Sequence, residues 1–250
     1  MDYKIAIPSY KRQVKLKTHT LKLLQDNNID KSNIYIFVAN DEEYNNYTSI
    51  IDNDYNIIIG ELGITNQRNF IRNYFNEGDK IVSMDDDIKQ LIELNDNKLI
   101  TKNNLNDFFN QSFQLLKNNN CYIWGVYPIK NSYFMKKNVN EISFDFKFII
   151  GVIHGFIVRK DTDLYLNPQA ESKEDILQSI LYYLKDKKVM RYNHITFKTQ
   201  FLAEGGLGKD RFLLNKNASY YIKDKFPDIA SIYQRNNGMY EIRLTKLIKI

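Results

Sequence analysis

In roughly the first 90 residues of this chain, short apolar runs alternate with helical patterns, and no other feature constrains the fold as tightly. Tyr3-Lys4-Ile5-Ala6-Ile7 reads as a strand ended by Pro8, which cannot donate to a ladder. Val14 to Gln25 reads as a helix with Leu21 and Leu24 inward. Ile34 to Val38 is a second strand, Tyr44 to Ile51 a short helix, and Tyr55 to Ile59 a third strand ending at Gly60. Gly63 and Thr65 introduce a helix with Ile64, Ile71 and Phe75 on one side, and Gly78-Asp79 turns the chain into Ile81-Val82-Ser83-Met84. Such alternation predicts an α/β fold, a mostly parallel sheet flanked by helices. The strand ends at Pro8, Asn40, Gly60 and Asp85 then share one edge, where open α/β sheets bind ligands. The polar residues gathered there are Ser9, Tyr10, Arg12, Asn40, Asp41, Asn66, Arg68 and three consecutive aspartates.

Asp85-Asp86-Asp87 follow the fourth strand at once, flanked only from outside by Lys80 and Lys89. Clustered carboxylates suit a hard divalent cation that also bridges substrate phosphates. They equally suit the cap of a helix, and Ile88 to Leu94 has helical spacing. In an extended segment residues i and i+2 point the same way, so Asp85 and Asp87 would share the metal and leave Asp86 for a sugar or ribose. His154 or His194 would supply a third ligand, unless each is an ordinary core or surface histidine. Arg68 suits a phosphate or sugar, as do Lys209 and Arg211 around the loop Gly205-Gly206-Leu207-Gly208-Lys209.

The second half predicts helices over Asn104–Leu116 and Ser172–Lys185, strands around Trp124, over Ile142–Phe148, within Phe148–Val158 and over Val189–Thr199, and either a last strand or part of a closing cover over Met239–Leu244. The alternation in Ile142–Phe148 marks a smaller antiparallel region. Residues 1–250 read as one domain, 1–100 forming a nucleotide-binding half and 101–250 an acceptor-side half. Ser172 with Asp175 three residues on has the form of a capping box. Trp124, Tyr127 and Tyr133 could stack on a base or sugar, and Lys136, Lys137, Arg159 and Lys160 could touch phosphates. One cysteine, Cys121, excludes a disulfide framework and points to a reducing compartment, here the cytoplasm or a host cell's interior. No secretory signal and no bilayer-length apolar run is present, so neither secretion nor a membrane partner is expected. The net charge of +5 permits an anionic partner.

The order of these motifs resembles the GT-A family of nucleotide-sugar glycosyltransferases. Pro8-Ser9-Tyr10-Lys11-Arg12 is similar to that family's nucleoside loop, Gly63 to Asn69 to its Arg-Asn helix start, and Asp85-Asp86-Asp87 to its DXD motif on an apolar strand. Glu174-Asp175 is similar to the helix start where inverting members carry the catalytic base. The resemblance implies Mn²⁺ or Mg²⁺ held by Asp85 and Asp87, a UDP-sugar donor, and Asp175, with Glu174 second, as base. The opening Pro-Ser-Tyr-Lys-Arg and Asn40-Asp41-Glu42-Glu43-Tyr44 resemble the base J DNA glucosyltransferase branch and its viral relatives. That branch implies transfer of glucose to a hydroxymethylpyrimidine in DNA, although the family's acidic pair followed by Gly-Ser is missing at Asn40-Asp41. A protein or glycan hydroxyl is the other acceptor, and a nucleotidyltransferase or an inactive sugar-nucleotide-binding protein are the competing functions. The loop Pro8-Ser9-Tyr10, in place of a Gly-rich basic one, counts against a nucleotidyltransferase.

Overall fold

The computed structural model describes residues 2–199 and 211–246. Its first half runs β1 (Lys4–Pro8), α1 (Gln13–Leu16), a π-helical turn (Lys17–Leu21), α2 (Lys22–Asp26), β2 (Ile34–Val38), α3 (Asp41–Thr48), β3 (Asn56–Ile59), α4 (Ile64–Tyr74), β4 (Lys80–Met84), β5 (Gln90–Asn95) and β6 (Lys98–Thr101). Then come α5 (Leu105–Asn118), β7 (Ile123–Val126), α6 (Ser132–Lys136), β8 (Ile142–Asp145), β9 (Ile153–Ile157), α7 (Glu174–Asp186), β10 (Val189–Tyr192), β11 (Ile195–Lys198), α8 (Arg211–Lys225), β12 (Ala230–Gln234) and β13 (Tyr240–Leu244).

The main sheet has eight strands in the order β3-β2-β1-β4-β9-β7-β10-β8. β3, β2, β1 and β4 are mutually parallel; β7 and β10 share their direction, because β9 lies antiparallel to both β4 and β7. β8 closes the far edge antiparallel to β10. Strand alternation sorts the side chains onto two faces. Ile5, Ile7, Val82 and Met84 face Leu16, Leu24, Phe109 and Phe113 of the helices around α1, α2 and α5. Ala6, Ile81 and Phe156 face Ile71 and Phe75 of α4 and Tyr182 of α7. The parallel strands β1, β2 and β4 are thus covered on both sides, and their carboxyl ends converge on one edge.

Three expectations change here. Ile88 to Leu94 is not a helix: β5 forms an antiparallel sheet with β6 and β11, so the aspartates precede a strand and have no helix to cap. Val189–Thr199 divides into β10 and β11, which belong to different sheets. Trp124 is fully buried against Phe108, Phe109 and Phe113, so it stacks in the core rather than on a ligand. It fits only because Gly155 lies opposite on β9; a Cβ there would stand 2.1 Å from the indole nitrogen.

Candidate active site

A cavity of about 490 Å³ opens at the carboxyl edge of β1, β2 and β4. Pro8, Ser9, Tyr10 and Arg12 line it from the loop after β1, Glu61 to Ile64, Gln67 and Arg68 from around the start of α4, Asp85 and Asp86 from the turn after β4, and Glu171 and Glu174 from the approach to α7.

The three aspartates occupy a tight turn rather than an extended segment, and this separates their roles. Thr20, fully buried in the π-helical turn, closes it: its Oγ1 donates to the Asp85 carbonyl at 2.7 Å and accepts from Ile88 N–H at 2.9 Å. π-Turns recur at functional sites. Asp86 points inward. Its Oδ2 accepts from Ser9 Oγ at 2.6 Å and its Oδ1 from Arg12 Nη1 at 3.3 Å. With the Ser9 proton committed to Asp86, Tyr47 Oη donates to Ser9 Oγ at 2.6 Å and accepts from Arg12 N–H at 3.1 Å. Burial pushes the Tyr47 phenol up to about 12, which keeps that proton in place. Asp87 Oδ2 lies 4.0 Å from the same Arg12 Nη1. Asp85 instead turns to Arg68, 3.8 Å away, with 35% of its side chain exposed. Burial pushes the Asp85 carboxyl well above its usual range; Arg68 opposes this, and Asp86, Asp87 and Glu174 add to it.

Arg68 is the centre of the site. Its side chain is only 7% exposed, yet it makes one hydrogen bond, to the Gly151 carbonyl at 3.2 Å, and its charged partners are distant, Glu174 Oε1 at 3.4 Å and Asp85 Oδ1 at 3.8 Å. Its Nε and Nη1 are buried with no partner among the described residues. Gly151 permits this approach, since a Cβ there would stand 2.7 Å from Arg68 Nη2 and 3.1 Å from Glu174 Oε1. Burial, with Asp175 beside it, pushes the Glu174 carboxyl up to about 7, against the pull of Arg68.

Asp175, the first choice as base from sequence, is not among the residues that line the cavity. Its Oδ2 accepts from Gly151 N–H at 3.2 Å and its Oδ1 from Ile176 N–H at 2.8 Å, so it braces the turn under Arg68. Glu174 is the carboxylate that lines the cavity. The Ser172–Asp175 capping box does not form. A 3₁₀ segment, Pro168–Lys173, runs directly into α7, and Ser172 Oγ is buried without a partner among the described residues. That segment supplies Glu171, which sequence reading missed. Its carboxylate accepts from Ile64 N–H at 2.7 Å, from Thr65 N–H at 3.1 Å and from the Thr65 hydroxyl, capping α4 from 107 residues away in the chain. Gln67 similarly ties Glu61 N–H to the Val38 carbonyl.

Other expected site residues lie elsewhere. Asn40 caps α3 by accepting from Glu43 N–H, with Asp41 in that helix's first turn, and Asn66 donates to the Leu62 carbonyl. None of the three lines the cavity. His154 is buried on β9 opposite Ser83, beneath α4, where burial and the nearby Arg68 and Arg72 hold it neutral and its Nδ1 has no hydrogen-bond partner among the described residues. His194 sits on the β10–β11 turn with Nε2 3.0 Å from the Asn138 carbonyl. Arg159 pairs bidentately with Asp186, and Lys160 donates to carbonyls closing α4, so neither is free for a phosphate. Lys209 and the loop containing it lie outside the described residues, as does the Arg211 side chain. Among the described residues no group of three His, Cys, Asp or Glu side chains is gathered for a metal. No helix there is long and apolar enough to cross a membrane.

No family model matches the chain, and no curated protein matches it in sequence. Solved structures match its fold. S. aureus TarS (residues 1–349) is 13% identical with a TM-score of 0.54, over 90% of this chain and 66% of that one; it has also been solved with UDP. The mannosyltransferase PcManGT from Pyrobaculum calidifontis, solved with GDP-Man and Mn²⁺, is 9% identical with a TM-score of 0.54, over 91% of this chain and 64% of that one. The chain thus spans just under two thirds of each of these. Mannosyl-3-phosphoglycerate synthase from Rubrobacter xylanophilus is 7% identical with a TM-score of 0.51, over 99% and 86%. The eight-stranded sheet with its flanking helices is therefore the fold of the GT-A nucleotide-sugar glycosyltransferases.

Proposed function

We propose that the chain is a glycosyltransferase that takes a sugar from a nucleoside diphosphate. The observation that carries this is Arg68 held between Asp85 and Glu174 on one cavity, with two donor nitrogens unpartnered. A buried guanidinium with free donors suits phosphate oxygens. The loop Ser9–Arg12 and the backbone around Glu61 to Ile64 offer the nucleoside its place along the strand ends.

Asp85 fits a divalent cation: it is the exposed member of the triplet, and three neighbouring carboxylates disfavour its bare charge. Asp87 is the second carboxylate of that turn. One or two carboxylates suffice for Mg²⁺ or Mn²⁺ when substrate phosphates and water complete the shell. Such an ion would neutralise the charge that gathers on the leaving diphosphate. PcManGT with GDP-Man and Mn²⁺ supports this reading.

Glu174 is the base. In a single displacement the acceptor oxygen bonds to the anomeric carbon as its bond to the diphosphate breaks, and the acceptor proton passes to the Glu174 carboxylate. Raised from the usual glutamate range to about 7, its carboxyl suits that exchange. Such a displacement inverts the anomeric centre. Asp175 holds Gly151 and so positions Arg68 and Glu174.

The finer reading takes UDP-glucose as donor and a hydroxymethylpyrimidine in DNA as acceptor; it rests on the resemblance in Pro8–Arg12 and Asn40–Tyr44. A protein or glycan hydroxyl is the other acceptor class. Thermal melting with UDP or GDP, with and without Mn²⁺, tests the donor site, since a ligand of the folded state raises the midpoint by mass action. A rise that needs both nucleotide and metal, and is absent in Asp85→Ala, supports the proposal; no rise with either nucleotide overturns it. An acceptor panel that includes hydroxymethylated DNA then tests the finer reading, and release of pyrophosphate instead of UDP or GDP would identify a nucleotidyltransferase.

A further inference from the structure

The segment between β7 and β8 carries an exposed apolar and basic surface that the proposed chemistry does not use. Ile129, Tyr133, Phe134 and Val139 are all exposed, Tyr133 at 62% and Val139 at 93%, the highest value for any large hydrophobic among the described residues. Lys130, Lys136 and Lys137 are exposed between them, and no acidic residue occurs from 127 to 140. Apolar side chains gathered this closely on a surface mark an interaction site. The surface is built, not loose. Met135 anchors α6 in the core, Asn131 Oδ1 accepts from Tyr133 and Phe134 N–H, and Asn138 Nδ2 donates to the Phe134 and Met135 carbonyls.

We infer that this knob docks the protein on an anionic lipid bilayer surface. Aliphatic and aromatic tips with lysines interspersed match the acyl boundary and the negative headgroups together. Lys137 Nζ lies over the Tyr133 ring, 4.3 Å from its centroid, so a positive charge and the aromatic surface sit together on this knob. That same lysine covers the ring face on which a nucleic-acid base would stack, and Ile129 and Val139 have nothing to offer a base. The chemistry therefore favours lipid over nucleic acid. The knob follows the carboxyl end of β7, two strand spacings or about 10 Å across the sheet from β4, and α6 packs on β5, which leaves the aspartate turn. Docking would bring the edge that holds the cavity to the membrane. The inference stands apart from the transferase reading, and its test uses no sugar nucleotide.

The test is cosedimentation of the full chain with phosphatidylcholine vesicles, with and without phosphatidylglycerol. Binding is expected only with phosphatidylglycerol, and is expected to weaken as salt rises. Replacing Lys130, Lys136 and Lys137 by Gln should lower partitioning about a hundredfold, roughly fivefold per lysine. The double variant Tyr133→Ser with Val139→Asp should abolish it at unchanged melting temperature, because both side chains project from the surface. Absence of binding to either vesicle, or binding indifferent to both sets of substitutions, overturns the inference. Binding of a single-stranded oligonucleotide that needs the same residues, without vesicle binding, would reassign the surface to nucleic acid and also overturn it.

Discussion

Arg12 and Arg68 approach one aspartate turn from opposite sides and meet it in different conditions. On the Arg12 side, Asp86 receives Ser9 and Arg12, Ser9 receives Tyr47, and Tyr47 receives the Arg12 backbone, which leaves only Arg12 Nε without a partner among the described residues. On the Arg68 side, both carboxylates lie beyond ordinary hydrogen-bond contact or at its limit, and two guanidinium nitrogens have no partner among the described residues. A closed network stabilises the fold; an open one of buried charge costs stability and is retained where a ligand completes it. The pair teaches that adjacent residues of one motif differ in how the fold holds them: both line the cavity, but Asp86 is fixed by Ser9 and Arg12 whereas Asp85 has only the distant Arg68.

The largest expected effect breaks the open side. Asp85→Ala should lower metal-dependent sugar transfer roughly a thousandfold, the several kcal/mol that charge neutralisation at the leaving group supplies. Its melting temperature should hold or rise, because Asp85 is a third exposed and comes no closer than 3.8 Å to Arg68. Transfer rates and melting curves on the same preparation check both halves; a variant that keeps transfer would make Asp85 a bystander.

Glu174→Gln comes next. Donor binding should persist while transfer falls between about a hundred- and ten-thousandfold, the usual contribution of a positioned base. The pH dependence has a definite sign. Glu174 holds its proton to about 7 in the fold, above its ordinary 4.5. Its contribution to stability is therefore complete below 4.5 and lost as pH rises from 4.5 to 7, whereas its activity as a base rises through 7. In Glu174→Gln that fall in stability should flatten by about 1–3 kcal/mol in denaturant titrations across this range, and the activity limb near 7 should vanish. An unchanged limb would move the base elsewhere.

On the closed side the effect should appear in stability instead. Asp86→Ala strands Ser9 Oγ and Arg12 in a buried place and should cost about 3 kcal/mol in urea unfolding. Asp85→Ala, one residue away, should cost nothing. Equal losses in the two variants would erase the distinction.

The strands that build this edge were legible because β1, β2 and β4 are short, β-branched and bounded by Pro8, Asn40 and Asp85. β5 was not: Ile88, Leu91 and Ile92 fall at helical spacing, and Leu91 and Ile92 are both buried, so the strand shows no alternation. The choice between Glu174 and Asp175 was beyond sequence, since neighbours on a helix point about 100° apart and only packing against Gly151 decides which faces the cavity. Pro168 starts a 3₁₀ segment that runs into α7, which is why the apparent capping box at Ser172 is empty. Glu171 left no local signal, because its partners Ile64 and Thr65 belong to a distant helix start. Trp124 resembled a stacking platform until Gly155 placed it in the core.

Thr20 offers the smallest and sharpest test. Its one hydroxyl holds the Asp85 carbonyl and the Ile88 amide, the two ends of the turn that gives Asp86 and Asp85 their opposite directions. Thr20→Val keeps the shape and removes the hydroxyl, leaving both backbone groups unpaired at a cost of about 1–2 kcal/mol. If the turn sets the direction of Asp85, the variant should also raise the Mn²⁺ concentration needed for half-maximal nucleotide-induced stabilisation, by several-fold, and Thr20→Ser should restore it. A stability loss with unchanged metal dependence would confine Thr20 to the closed, structural side of the turn.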